Sequence, residues 1–370
     1  MKPTVAVAIS GGVDSLTAAW LLKEQGYPVI GVHFITGYEA GPHAGQGIGQ
    51  ESGSPDSRVD AARRMLRPVA DRLRISIEIL DGAECFQAEV VDYFVNAYRT
   101  GQTPSPCLVC NPALKFGELF RFSRKLGARQ LATGHYARVE RETDGRVHLY
   151  RGLDPAKDQS YFLARLSRKQ LGRSLFPLGE MTKSDVVALA RKNNLFPVTE
   201  GESQDICFID NGGYGKFLAG QAGFTPRPGP IVNMDGDVIG QHRGLHLFTI
   251  GQRRGINCPA PSPYYVIRLD TDENCLVVGP RKALFSSGCR VSEINWIGPP
   301  PASSIPVSVK IRYRHPAVPA TIVPTANDAA VVCFGQPQEA VTPGQGAVFY
   351  RGDEVLGGGW IIGEETGNPT

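Results

Sequence analysis

The stretch Ser10-Gly11-Gly12-Val13-Asp14-Ser15 decides how the first half of this chain is read. It follows a short apolar run, 5–9, of the buried-strand type. It precedes 15–25, where Leu16, Ala19, Trp20 and Leu22 recur at helical spacing and Gly26 supplies a C-cap signal. Two glycines let the backbone turn sharply and approach an anion with no Cβ in the way. The hydroxyls and amides at the start of the helix then meet phosphate with the positive end of the helix dipole. No Gly-Lys-Ser/Thr follows, so this is not a Walker loop.

Outward from that turn the alternation continues. A second buried-strand run covers 29–34, helical patterns cover 57–73 and 83–99, and strand-like segments cover 76–80 and 130–133, the last entering Gly134-His135-Tyr136. Strands alternating with helices predict an α/β, doubly wound parallel sheet. Between the second strand and the next helix, 37–55 holds six glycines, long for such a connection, and reads as a lid or as disorder. From about Gly229 short β-branched runs separated by Gly, Pro, Asn and Asp take over, at 230–232, 238–240, 264–268, 275–278, 307–312 and 347–350. That spacing predicts β-barrel or sandwich modules. The expected organisation is a catalytic domain over 1–210, a small β-rich domain over 211–285 and a C-terminal β-barrel over 286–370.

Composition bounds the rest. The chain has 370 residues, 42% hydrophobic and 20% charged, enough for several cores and incompatible with a disordered chain. Forty-three glycines and 28 prolines fit a turn-rich β portion. A net charge of +3 neither demands nor forbids a nucleic-acid partner, because a local patch suffices. No run of 18 apolar residues exists, and the start lacks a cleavage signal, so no membrane is involved and the expectation is mature cytoplasmic protein. Eight cysteines are too few for a disulfide scaffold at this length; they read as thiols, ligands or catalysts.

Cys107 and Cys110 stand a Cys-x-x-Cys apart behind Thr103-Pro104-Ser105-Pro106, at the start of a helix-like segment over 112–126. A helix N-terminus lowers a thiol pKa, but the spacing alone fits a redox pair, two ligands of a metal or cluster, or two small buried residues. Residues 111–130 carry Lys115, Arg121, Arg124, Lys125 and Arg129 against the single acid Glu118, either a solvated face or a contact for phosphate backbone. Cys207, within an apolar run, reads by itself as a core residue.

The ordered set of motifs says more. Ser10–Ser15 resembles the pyrophosphate-binding loop of the ATP pyrophosphatases. It is followed by Thr103-Pro104-Ser105-Pro106 with Cys110-Asn111, then Ala132-Thr133-Gly134-His135-Tyr136-Ala137-Arg138 and Lys157-Asp158-Gln159-Ser160. Phe176-Pro177-Leu178-Gly179, Ser203-Gln204-Asp205-Ile206-Cys207-Phe208 and Thr249-Ile250-Gly251-Gln252-Arg253-Arg254-Gly255 come next. Ile311-Arg312-Tyr313-Arg314, Thr342-Pro343-Gly344-Gln345 and Leu356-Gly357-Gly358-Gly359 close the series. Together, from about residue 4 to 363, they resemble the bacterial tRNA-specific 2-thiouridylases.

The resemblance implies adenylation of the 2-carbonyl of a wobble uridine by ATP, followed by attack of a persulfide sulfur. It implies Cys207 as persulfide carrier and Cys110 as partner nucleophile, joined in a disulfide during turnover. It implies ATP contacts at Ala8, Ile9, Ser10, Gly11, Gly12, Val13, Asp14, Ser15, Phe34 and Gly134, with Asp14 helping to hold Mg2+. Ser105, Pro106 and Cys107 match the stretch touching the target base. His135, Lys157, Asp158, Gln159, Arg312, Tyr313 and Gln345 match tRNA contacts. A cysteine desulfurase or sulfur-relay protein would donate sulfur. Two departures mark this sequence: Cys107 stands where many members carry Asp, and Phe34-Ile35-Thr36-Gly37-Tyr38 replaces a Lys-Asn-Trp type string. Cys107, Cys110 and Cys207 also leave an iron–sulfur cluster open beside the persulfide route. The rival readings are a different ATP-dependent adenylating enzyme and a non-catalytic tRNA-binding protein.

Overall fold

The computed structural model describes residues 2–39, 54–199, 206–209, 213–259 and 261–364. Most of the glycine-rich 37–55 connection, and Ser203 to Asp205 of the Cys207 motif, fall outside them.

In the first half, the described residues form seven strands: β1 (Val5–Ala8), β2 (Val29–Ile35), β3 (Ile77–Asp81), β4 (Gln130–Ala132), β5 (Ala137–Arg141), β6 (Val147–Arg151) and β7 (Ser174–Leu175). Five of them form an all-parallel sheet in the order β3-β2-β1-β4-β7. β1 is central, and its consecutive Val5, Ala6 and Val7 are all fully buried, as a strand covered on both faces must be. Helices α1 (Val13–Glu24) and α2 (Pro55–Leu73) pack their apolar stripes with β1 around Leu16, Ala19, Leu22, Leu66, Val69 and Leu73. Gly26, at φ +78°, closes α1 as the sequence signalled. The segment over 83–99 is helical with one π-helical stretch, Gln87–Val91.

The remaining strands are β8 (Gly229–Val232), β9 (Val238–His242), β10 (Tyr265–Asp270), β11 (Cys275–Gly279), β12 (Phe285–Trp296), β13 (Ile305–Lys310), β14 (Val318–Thr325), β15 (Ala329–Glu339), β16 (Gly346–Arg351) and β17 (Glu354–Glu364). β8 to β11 make a four-stranded sheet in the order β10-β11-β8-β9. β12 to β17 form a six-stranded antiparallel barrel, closed by the β12–β17 pairing. Closure depends on the three consecutive glycines of β17. A Cβ on Gly357 would sit 2.2 Å from the Asn295 carbonyl oxygen, and one on Gly359 2.5 Å from that of Ser292.

The barrel is not a separate body. The β5–β6 hairpin, which lies between the fourth and seventh strands of the chain, leaves the parallel sheet and adds to the barrel through β6–β17, with Tyr150 opposite Glu354 and Leu149 opposite Val355. His148 reinforces the junction: its Nδ1 lies 2.6 Å from Glu354 Oε1 and its Nε2 2.9 Å from Glu142 Oε1. The hydrogen bond to Glu354, then the charge of both glutamates, raises the imidazole pKa against the opposing effect of burial. A raised folded-state pKa contributes stability that is complete below the ordinary value of about 6.5 and is lost as pH rises through the folded value. Wild-type protein should therefore lose melting temperature relative to His148→Gln as pH is taken from 6 to 8. Parallel pH profiles of the two proteins would overturn the assignment.

Candidate active site

The C-terminal ends of parallel strands are where an open α/β sheet binds ligands. Here Ser10–Ser15 leaves the end of β1. Gly11 adopts φ +87°, and a Cβ there would lie 2.9 Å from Val198 Cγ2, so glycine is required twice over. Inside the loop the Ser15 hydroxyl donates to the Gly12 carbonyl (2.9 Å) and accepts from the Ser10 amide (3.2 Å). No side chain among the described residues caps α1, so the amides of its first turn are offered to an anion. Gly134 follows β4 and packs directly on this turn: its would-be Cβ meets Asp14 Cβ at 3.0 Å and the Ser15 amide at 3.1 Å. Phe34, at the end of β2, lays its ring against Gly82, where a Cβ would come within 2.1 Å of it.

Asp14 is held, not free. Lys183 Nζ binds both carboxylate oxygens, at 2.7 and 2.8 Å, and the Tyr136 hydroxyl donates to Oδ1 at 2.8 Å. Lys183 opens the helix Lys183–Lys192, which Thr182 caps through a capping box with Asp185. Sequence reading missed Lys183; the Thr-Lys-Ser-Asp cap was the available signal, but nothing local ties it to a loop 169 residues away. His33 was missed as well. Buried on β2, it bonds the Ile9 carbonyl oxygen through Nδ1 (2.7 Å), and its Nε2 is a buried atom without a partner among the described residues.

The cysteines come next. Cys107–Cys110, Asn111–Leu119 and Phe120–Lys125 form a continuous helical rod whose middle is π-helical. It begins earlier than the sequence suggested, because Cys110 and Val109 donate their amides to the Pro106 carbonyl and Leu108 donates to that of Ser105. Cys110 packs at the edge of an aromatic cluster. Phe208 inserts into the same cluster, with ring centroids 5.6 Å from Phe86, 5.2 Å from Phe94 and 5.3 Å from Phe217. Phe208 thus anchors the turn that carries Cys207 beside the rod that carries Cys110. Cys207 itself is exposed, not the core residue its apolar neighbours suggested.

Contrary to the expectation from a helix N-terminus, the thiols are pushed up. Burial raises Cys107, and raises Cys110 to about 11 with a contribution from Cys107. Cys207 is shifted in the same direction, by the surrounding protein first and then by Cys110 and Cys107. Desolvation outweighs the helix dipole, which falls off within one turn. Lys115 is the opposing charge felt by all three thiols. All eight cysteines are free, so the expected Cys110–Cys207 disulfide is not present in this state. Among the described residues no group of three His, Cys, Asp or Glu side chains is arranged to hold a metal ion. Cys107, Cys110 and Cys207 are not brought together as such a group among the described residues.

The other expected contacts line the same region, several of them already engaged. Ser105 and Pro106 are buried, and the Ser105 amide donates to the Tyr93 hydroxyl (3.3 Å). Gln345, from the barrel, donates to the carbonyls of Thr103 (3.0 Å) and Pro104 (3.1 Å), bracing that loop. His135 is buried with Nδ1 2.6 Å from the Thr133 hydroxyl, and burial holds it neutral, well below its usual pKa. Asp158 accepts from the amides of Gly152 and Ser160, and Gln159 accepts from that of Tyr136 (3.1 Å). The Tyr313 ring lies 4.3 Å from that of Phe162, Arg312 beside it is exposed, and Lys157 is half-buried.

A parallel sheet with a glycine-rich anion loop at the end of its central strand defines a nucleotide-binding protein of the ATP pyrophosphatase class. Residues 3–211 match the family model of a tRNA methyl transferase HUP domain, 215–280 a PRC-barrel domain and 286–361 an aminomethyltransferase β-barrel domain. A tRNA-specific 2-thiouridylase from Desulfosudis oleivorans is 50% identical over 98% of this chain and 96% of its own. Another, from Geotalea uraniireducens, is 46% identical over 97% and 95%. The chain belongs to the tRNA-specific 2-thiouridylase family. A solved structure, the U34-tRNA thiolase NcsA from Methanococcus maripaludis with its [4Fe-4S] cluster, aligns with a TM-score of 0.30 at 21% identity, over 53% of this chain and 57% of that one. No helix among the described residues is long and apolar enough to cross a membrane.

Proposed function

We propose that this chain is an ATP-dependent tRNA uridine 2-sulfurtransferase, a cytoplasmic enzyme that converts the wobble uridine to 2-thiouridine. The observation that carries the reading is the docking of the Cys207 turn, through Phe208, beside the Cys110 rod. The limits 1–210, 211–285 and 286–370 are proposed as its catalytic, central and barrel domains.

ATP is the substrate of the first half-reaction. Ala8 to Ser15, Phe34 and Gly134 would receive it, the first-turn amides of α1 taking its phosphate charge. Mg2+ bound with ATP offsets charge on the departing pyrophosphate. Asp14, a third exposed although bonded to Lys183, is the loop carboxylate that fits it. The uridine O2 attacks the α-phosphorus and pyrophosphate leaves; the base must leave its stack for this and would be received at Ser105, Pro106 and Cys107. The terminal sulfur of a Cys207 persulfide then attacks C2 and AMP leaves. Cys110 attacks the Cys207 sulfur, releasing 2-thiouridine and leaving a Cys110–Cys207 disulfide, which an external dithiol reduces. The raised thiols suit this order, since they stay protonated and unreactive until the activated base is in place. His135, Lys157, Asp158, Gln159, Arg312, Tyr313 and Gln345 are proposed to shape or contact the tRNA surface, and a desulfurase or relay protein to reload Cys207.

Nucleoside mass spectrometry tests this. Protein incubated with ATP, Mg2+, a persulfide donor and unmodified tRNA should yield 2-thiouridine at the wobble position only when ATP is present. AMP and pyrophosphate without thiouridine would overturn the sulfur-transfer half. Neither product, from protein that binds tRNA, would favour the non-catalytic reading.

A further inference from the structure

Arg124, Arg129 and Arg173 converge on a hollow of about 400 Å³ that they line with Gly127 and Ala128. No carboxylate lines it, and none of the three arginines forms an ion pair with a carboxylate among the described residues. Helix capping does not account for the cluster. The carbonyls at the end of Phe120–Lys125 are satisfied by backbone amides, Gly127 donating to Arg124 and Leu126 and Ala128 to Ser123. Nor are these side chains spent on the fold in the way Arg141 is. That neighbouring guanidinium donates to the carbonyls of Leu171, Gly172 and Ser174, fixing the segment from which Arg173 projects. Arg173 is further ordered by lying 5.8 Å from the centre of the Phe120 ring.

Three guanidinium groups around one hollow repel each other unless an anion sits between them. Their planar forks suit phosphate oxygens better than a point charge would. The position is informative. Arg129 immediately precedes β4 and Arg173 immediately precedes β7, so the hollow lies at the N-terminal ends of these parallel strands, opposite the end that carries the phosphate loop, and is not part of the ATP site. It lies at the far end of the rod that begins at Cys107, on the order of 20 Å from the cysteines by helical rise.

We propose that this arginine hollow is a second docking point for the phosphodiester backbone of the tRNA, gripping the stem while the wobble base lies at the cysteine end of the rod. The proposal rests on tRNA being the substrate. It converts the excess of basic residues over 111–130 into a defined phosphate site at one end of a rod whose other end does the chemistry.

The test is titration of full-length protein with unmodified tRNA at several salt concentrations, without ATP or sulfur donor. The triple variant Arg124→Ala, Arg129→Ala, Arg173→Ala should bind 10- to 100-fold more weakly. The slope of log affinity against log salt should fall by about two, close to one unit per phosphate released. The triple Arg→Lys variant, which keeps the charge, should retain the slope and most of the affinity; it also guards against loss of fold in the alanine protein. Wild-type affinity and slope in the alanine variant would overturn the proposal. So would saturable binding of inorganic phosphate that the variant loses while tRNA affinity stays the same, since the site would then serve a free anion. Failure of wild-type protein to bind tRNA at all would overturn the functional reading itself. Docking that depends on the arginines in a protein that makes no thiouridine would overturn the chemistry alone.

Discussion

Replacing Cys207 by serine should abolish 2-thiouridine formation, a loss of at least about a thousandfold, because a hydroxyl cannot carry a sulfane sulfur. tRNA affinity should stay within about threefold of wild type. Cys110→Ser should be equally inactive in turnover but should still load one sulfur atom on Cys207 and still release pyrophosphate, since its loss strikes after adenylation. Nucleoside analysis reads the first effect and intact-protein mass spectrometry the second. Full thiolation by either variant would remove the roles assigned to both thiols. The pH profile sharpens the point. With burial pushing Cys110 up to about 11, the thiolate fraction grows with every step above neutrality. Single-turnover sulfur transfer in wild-type protein should therefore climb without a plateau between roughly pH 7 and 9, where the unperturbed thiol would already be levelling off. A plateau below pH 8 would mean that Cys110 is ionised at rest.

Lys183→Met is the second large effect. It removes the cation that holds both oxygens of Asp14 in a half-buried setting. An uncompensated charge beside the phosphate loop costs far more than an exposed ion pair would contribute. Pyrophosphate release should fall about 10²- to 10³-fold, the usual size of losing one aligned charge in an active site. As Lys183 is argued to act through Asp14, the decisive readout is a double-mutant cycle with Asp14→Asn. The two losses should be strongly non-additive, and Lys183→Arg should restore part of the rate. Additive losses, or an Arg variant no better than Met, would show that Lys183 does not act by positioning Asp14.

How much of this was legible in the sequence depends on how local each signal is. Gly11 and Gly12 between a buried run and an amphipathic helix fixed the class of sheet, because the turn, the cap and the periodicity all lie within twenty residues. Barrel strand β13, with Ile305, Val307 and Val309 at alternate positions, was legible for the same reason. β17 was not: Gly357-Gly358-Gly359 reads as a break, and only the close approach of Asn295 and Ser292 on β12 explains why a strand there must lack side chains. The cysteines could be chosen by resemblance, yet the direction of their pKa shifts could not. The helix N-terminus is visible in sequence, whereas the desolvation that outweighs it comes from packing. Lys183 and His33 escaped for a related reason, each meeting its partner only through the tertiary fold.

The β5–β6 hairpin sets a timetable for biosynthesis. His148 and Glu354 are 206 residues apart, so the edge of β6 emerges from the ribosome long before the strand that covers it. At 5–20 residues per second the wait is about 10–40 s. Through that interval the nucleotide-binding half carries an unpaired strand edge, the feature most prone to pair with another chain. Nascent chains stalled or truncated before residue 354 should accordingly be the ones that chaperones retain, and the ATP-binding half should reach its protease-resistant state only after β17 has been made.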